Sequence, residues 1–308
     1  MTSRPSTFSI VARDPEQEAL GVAVQSKFVS VGSVVPFASA DAGAIATQSF
    51  ANVAYGPKGL ELLRDGYDAE TVVERLTAAD DDAPERQVGV VGRDGTVAAF
   101  TGEECFEHAS DRQGETYTVQ GNILENRETI DAMAETFETT EGGLPERLIA
   151  ALHAGNDAGG DQRGEQSAAL YVVKPEGGYD GKNDRWIDVR VDDHEHPIDE
   201  LERVFRIYDV TLLEREEPDT TRQLSGETAR EVLETLGDLD LYEGAPTETV
   251  GEDEREALEA FRGMNNFENH SLSVIEDALA RGWDEAEGSG ETRMVNAIWH
   301  GLSRLERV

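Results

Sequence analysis

A chain of 308 residues carries 64 acidic side chains against 27 basic ones, a formal charge of −37, and a single cysteine, Cys105. The length suits two domains better than one, and one cysteine excludes an internal disulfide and fits a reducing compartment. The charge speaks against nucleic acid, whose phosphates need basic patches, and no apolar run approaches the roughly 18 residues that span a bilayer. The acids are spread along the chain and only four bases are lysines, Lys27, Lys58, Lys174 and Lys182. By analogy this is the surface of a protein solvated at high salt, where a Debye length of ~3 Å screens self-repulsion. The N-terminal "MTSRPST" has an arginine but no apolar stretch behind it. It does not read as a secretory signal, and the expected location is the cytoplasm.

In chain order, residues 7–49 read as strands: "TFSIVA", "ALGVAVQS" after the turn "RDPEQE", then "VSVGSVVPFAS" and "AGAIATQS". Two helices follow, "GPKGLELLRDG" and "DAETVVERLTAAD", the second with Asp68 as its N-cap. Strands return at "RQVGVVG" and "TVAAFTG", joined by a hairpin signal at Asp94-Gly95, and at "TYTVQGN". A second helical pair, "NRETIDAMAETFET" and "LPERLIAALHAG", has Pro145 in the first turn of its second member. Strands "QSAALYVV" and "WIDVRV" precede a long amphipathic helix, "PIDELERVFRIYDVTLL". Strands and helices in runs predict antiparallel sheets with segregated helices, an α+β chain. Residues 215–230 are polar, with Pro218 and Gly226, and read as a linker. It divides a domain over 1–214 from a small all-helical module over 231–308, in which Trp283 and Trp299 read as core.

Together these pieces resemble the DUF1028 family, whose fold is that of the N-terminal nucleophile (Ntn) hydrolases. The resemblance rests on "TFSIVARDP", "LGVAVQSKFVSVGSVVPF", "GAIATQSFANVAYGPKGLELLRDG", "RQVGVV", "FTGEEC", "VQGNIL", "GGDQRGEQSAALYV" and "RVDDHEHPIDEL". The tail, chiefly "ALEAFRGMNNFENHS", is similar to a peptidoglycan-binding-like module that some members carry. The resemblance implies a four-layer αββα sandwich and a hydrolase of amide or other C–N bonds in a small molecule. It needs no cofactor. A non-catalytic binding protein on the same scaffold stays open, with a proteasome-like peptidase a more distant third. Self-association into a homo-oligomer is left open.

An Ntn enzyme attacks with the side chain of its first residue, and the residue's own α-amine takes the proton. Thr7, opening the first strand, fits that role, but six residues precede it. The role therefore requires cleavage after Ser6; otherwise Thr7 is only a β-branched strand residue. Lys27 and Ser26 end the second strand, where such folds place groups that tune the nucleophile. Gln48 and Ser49 end the fourth, where such folds supply backbone N–H donors to an oxyanion; otherwise they form only a polar turn into the next helix. On the glycine-rich turn "GGDQRGEQS", Asp161 and Arg163 lie two apart and share a face if extended. They either orient substrate with Gln166 and Ser167 or lock the turn by an ion pair. The catalytic set is thus Thr7, Lys27, Asp161 and Arg163, and the binding set Ser26, Gln48, Ser49, Gln166 and Ser167. Asp192, Asp193, His194 and His196 offer ligand atoms, but an acidic turn before a helix suits its dipole without a metal, so no metal site is assigned. Cys105 reads as a small buried thiol.

Overall fold

The computed structural model describes residues 7–106, 108–179 and 181–307. The chain is a mixed α+β protein with two antiparallel sheets and a C-terminal helical region, and it divides into two compact units after Glu202.

In the first unit, β1 (Thr7–Asp14) and β2 (Ala19–Ser26) form a hairpin. A 3-10 turn at Val31–Ser33 leads to β3 (Pro36–Ser39) and β4 (Gly43–Ser49). Helices α1 (Tyr55–Arg64) and α2 (Ala69–Ala78) follow, and Asp68 caps α2 by accepting from Thr71 N at 2.8 Å, as its position predicts. Then come β5 (Arg86–Gly92), β6 (Val97–Thr101), β7 (Ser110–Gln113) and β8 (Tyr117–Asn122). Helices α3 (Glu128–Thr139) and α4 (Leu144–Asp157) precede β9 (Ser167–Val173) and β10 (Arg185–Val191). The division between units falls inside α5 (Pro197–Leu212), upstream of the boundary expected at 214.

One sheet runs β10-β9-β2-β1-β8-β7, the other β3-β4-β5-β6. Alternation along each strand gives each sheet two distinct faces. On one face of β1 and β2, Val11, Leu20, Val22 and Val24 meet Ala44, Ala46 and Val91 of the second sheet. On the far face of the second sheet, Ile45, Val88 and Val90 pack under Leu60, Leu63, Val72 and Leu76 of α1 and α2. The first sheet's other face is covered by α3 and α4. Strand β1 lies at the centre, so its first residue, Thr7, is flanked by Ser26 of β2 and Asn122 of β8.

The expected strand over 29–39 is shorter. Ser30 takes a left-handed backbone (φ 56°), its N–H donates to Asp192 O, and regular pairing begins at Pro36.

The second unit holds α6 (Gly226–Asp238), α7 (Glu252–Met264), α8 (Leu272–Gly282) and α9 (Gly290–Leu302) around Leu233, Leu236, Phe261, Ile275, Leu279, Trp283 and Ile298. Residues 215–230, expected as a linker, belong to this unit's structure: Leu224 is buried in its core and α6 starts at Gly226. Asp209 is buried between Arg215 and Arg307, at 2.6 and 2.9 Å. Burial alone would raise its carboxyl, but the two guanidinium groups hold it below the usual range. Among the described residues no helix is long and apolar enough to cross a membrane.

Candidate active site

At the end of the two sheets where β1 begins, a cleft of about 330 Å3 is lined by Thr7, Phe28, Val31, Val34, Val35, Gln48, Ser49, Phe50, Ala51 and Arg86. Thr7 lies at its floor, 3 % exposed, with Oγ1 3.0 Å from Ser26 Oγ. Thr7, Ser26, Gln48 and Ser49, singled out separately in the sequence, therefore meet in one place.

Strand geometry explains the meeting. Thr7, Ser9 and Val11 alternate onto the face that looks at the second sheet. The far end of that interface is apolar, and the end below the cleft is polar. Ser9 Oγ donates to Gln48 Oε1 at 2.6 Å and accepts from Gln120 Nε2 at 2.6 Å. Gln48 Nε2 lies 2.9 Å from Gln87 Oε1 and 3.3 Å from the carbonyls of Thr7 and Gln120. Asn122 Nδ2 donates to Gln87 Oε1 at 3.0 Å, and Gln87 Nε2 donates onward to Thr101 Oγ1 and Gly121 O. These side chains are all essentially buried. The side-chain amide of Gln48 is thus committed to fixing the Thr7 backbone. Ser9, Gln87, Gln120 and Asn122 escaped sequence reasoning. Their signal was a polar residue at an inward-facing position of an apolar strand.

The rim is held by a second network. Arg86 Nη1 donates to Phe50 O at 2.6 Å, while its Nε and Nη2 pair with Asp80 and Asp82. Hydrogen bonds from Asn52, Arg86 and Tyr55 hold the Asp80 carboxyl well below the usual carboxylate range. Burial, reinforced by Asp80, pushes the Tyr55 phenol up. Ser49 takes a left-handed backbone (φ 69°) at the cleft, as does Ser30 at the base of its wall. Such residues store about 1–3 kcal/mol of strain and gather at functional sites. Cys105 is half-buried beneath Arg86, with Sγ donating to Arg86 O at 3.3 Å, and burial pushes its thiol up.

The remaining singled-out residues do not line the cleft. Gly159 and Gly160 turn with φ of 133° and 58°, conformations that suit glycine. They deliver Asp161 to a position where its carboxylate accepts from Lys27 N (2.8 Å), Arg163 N (2.8 Å), Arg163 Nε (3.2 Å) and Arg163 Nη2 (3.0 Å). Four donors occupy both oxygens, so Asp161 clamps the end of β2 to the turn and has no lone pair left over for a proton transfer. Lys27 Nζ donates to Glu165 O at 2.7 Å, and its side chain points to this turn. Ser167 Oγ accepts from Val31 N at 3.1 Å and donates to Phe28 O, so it braces the cleft wall from behind. Gln166 Nε2 donates to exposed Asp193. Asp192 pairs with Arg190, and His194 Nδ1 lies 3.0 Å from His196 N, which makes this segment a folded turn leading into α5. No cluster of metal-ligating side chains occurs among the described residues.

A hydroxyl at the floor of an apolar cleft can attack an acyl carbon if a base takes its proton. Ser26, the partner of Thr7 Oγ1, is itself a hydroxyl and is no base at neutral pH. The six residues ahead of Thr7 lie outside the described residues.

The model of the family described as "Family of unknown function (DUF1028)" matches residues 7–201, and that described as "Putative peptidoglycan binding domain" matches residues 211–299. The crystal structure of protein SPO2555 from Silicibacter pomeroyi, assigned to the same DUF1028 model, is similar over 66 % of this chain and 89 % of its own. The identity is 31 % and the TM-score 0.61. No curated protein matches the chain.

Proposed function

Because the chain belongs to the DUF1028 family, a family of unknown function, we propose that its first unit is an Ntn-type hydrolase of amide or other C–N bonds in a small molecule. The observation that carries this reading is the place of Thr7: first residue of the central strand, hydroxyl at the floor of the cleft, backbone held by Gln48. Two antiparallel sheets between two pairs of helices agree with the four-layer αββα sandwich that the reading expects.

Cleavage of the Ser6–Thr7 bond would free the α-amine, whose pKa of about 7.7–8.0 suits a base near neutrality. As Thr7 Oγ1 bonds to the acyl carbon, its proton passes to that amine. The proton then moves to the leaving nitrogen as the C–N bond breaks. Water splits the resulting ester, restores the hydroxyl and releases the acid. Ser26 holds the hydroxyl in place. Lys27, Asp161 and Arg163 act one step removed, as positioning residues that pin the end of β2.

Mature protein should begin at Thr7 by intact mass, Thr7→Ala should stay full length and inactive, and Thr7→Ser should still process. Wild-type protein that keeps its first six residues and yet hydrolyses amides would exclude Thr7 as nucleophile. The six residues ahead of Thr7 favour a second reading, a binding scaffold without turnover, since an uncut chain locks the amine in an amide. The family description of residues 211–299 further suggests a polymer partner of the peptidoglycan type for the second unit.

A further inference from the structure

The first unit coats itself with carboxylates, yet it leaves a group of large apolar side chains in water. Phe28 is 40 % exposed, Val29 52 %, Phe50 36 % and Val53 51 %. Phe28 and Phe50 line the cleft above Thr7, and Val29 and Val53 lie within three residues of them in sequence. Deeper in, the walls are Val31, Val34 and Val35. Small-molecule sites are concave, mostly apolar and upward of about 300 Å3, with a few polar groups where orientation is set. Here the polar groups, Thr7, Gln48 and Ser49, sit together at the floor.

Arg86 is the cation of the lining, and its charge is spent. Asp80 and Asp82 take its Nε and Nη2, and Phe50 O takes its Nη1. A carboxylate carried between Phe28 and Phe50 would lose its water without gaining a free counter-charge from the side chains of the lining, and the −37 protein would repel it on approach.

We propose that the cleft selects substrates with an apolar, uncharged acyl group of aryl-alkyl or branched-alkyl type. The chain is seated between Phe28 and Phe50, the carbonyl lies at Thr7, and acyl groups bearing a second carboxylate are rejected. The assignment of that end as acyl rests on the hydrolase reading; the apolar selectivity of the cleft does not. Arg86 serves as a positioning residue that fixes Phe50.

The test is titration of the wild-type and Thr7→Ala chains, in 2 M KCl, with acetamide, 3-phenylpropanamide and succinamate, followed by calorimetry or by amide chemical shifts. 3-Phenylpropanamide should bind at least about tenfold more tightly than acetamide, and succinamate more weakly than either. Phe28→Ala and Phe50→Ala, at part-exposed positions, should each weaken 3-phenylpropanamide severalfold, by a larger factor than acetamide. Equal affinities, a preference for succinamate, or binding of none of the three overturns the proposal. Wild-type turnover of the same amides is scored separately. The expected ranking without turnover removes the hydrolase reading and keeps the selectivity, whereas turnover with a flat ranking does the reverse.

Discussion

At the scale of single residues, His153 and Ser167 give the sharpest expectations. His153 Nε2 lies 2.8 Å from Glu202 Oε2, and that bond raises the imidazole pKa above its usual value. A raised folded pKa contributes stability that is complete below the ordinary value near 6.5 and is lost as pH climbs through the raised one. Urea unfolding should thus find Glu202→Gln less stable than wild type by about 1 kcal/mol at pH 5.5, with the gap closed by pH 9. A gap that stays constant with pH would mean the pair carries no charge-linked stability. Ser167→Ala should free Val31 N, cost about 1–2 kcal/mol, and speed hydrogen exchange at that amide; unchanged exchange would remove Ser167 as the brace of the wall. Sequence reading singled out Thr7, Ser26, Gln48 and Ser49 because the family resemblance gives roles to residues at strand termini, and the structure brings these four together. It read Asp161 and Arg163 with two roles open, and the geometry shows the ion pair of the locked turn. What spacing could not show was the state of the donors. A glutamine looks the same in sequence whether its amide faces a substrate or three neighbouring carbonyls.

Among elements, most strands and helices of the first unit were legible from period and caps, and the exceptions have physical causes. The run "VSVGSVV" is apolar because it walls a cleft, so it mimics a strand without pairing as one. Strand β7 (Ser110–Gln113, "SDRQ") carries the charges expected at a sheet edge and no apolar alternation. Helix α6 was hidden by polar composition, although Ala229, Val232, Leu233 and Leu236 keep helical spacing. Two substitutions probe how the elements hold together. A Cβ at Gly89 of β5 would collide with the Gln120 amide, so Gly89→Ala should cost about 1–3 kcal/mol in chemical denaturation; a neutral result would mean that the polar layer adapts. In the second unit, Arg307→Met leaves buried Asp209 with one partner fewer and should cost about 3–5 kcal/mol. The loss should shrink as acid is added, because the stability that the ion pair contributes to the wild type fades as pH falls through the depressed pKa of Asp209.

At the scale of the whole molecule, the charge sets the working conditions. Asp161, Asp209, Glu276 and Asp277 are the buried acids among the described residues, and the other described acids are at least partly exposed. Raising KCl from 0.1 to 2 M should therefore raise the midpoint of thermal unfolding by screening self-repulsion. Equal midpoints at the two concentrations would sink the salt-adaptation reading. The α+β class could be read in the sequence because strands and helices come in runs. The position of the division between units could not, since α5 is one uninterrupted amphipathic pattern across it.

The amide layer beneath Thr7 has one more consequence. Oily faces can slide over one another with little penalty, but matched donors and acceptors cannot. Ser9, Gln48, Gln87, Gln120 and Asn122 come from both sheets and interlock at one end of the interface. They act as a key that permits a single alignment of one sheet on the other. The position of Thr7 is then fixed by the assembly of four strands, β1, β4, β5 and β8, and a chain that closes its core out of register cannot also complete the floor of its cleft.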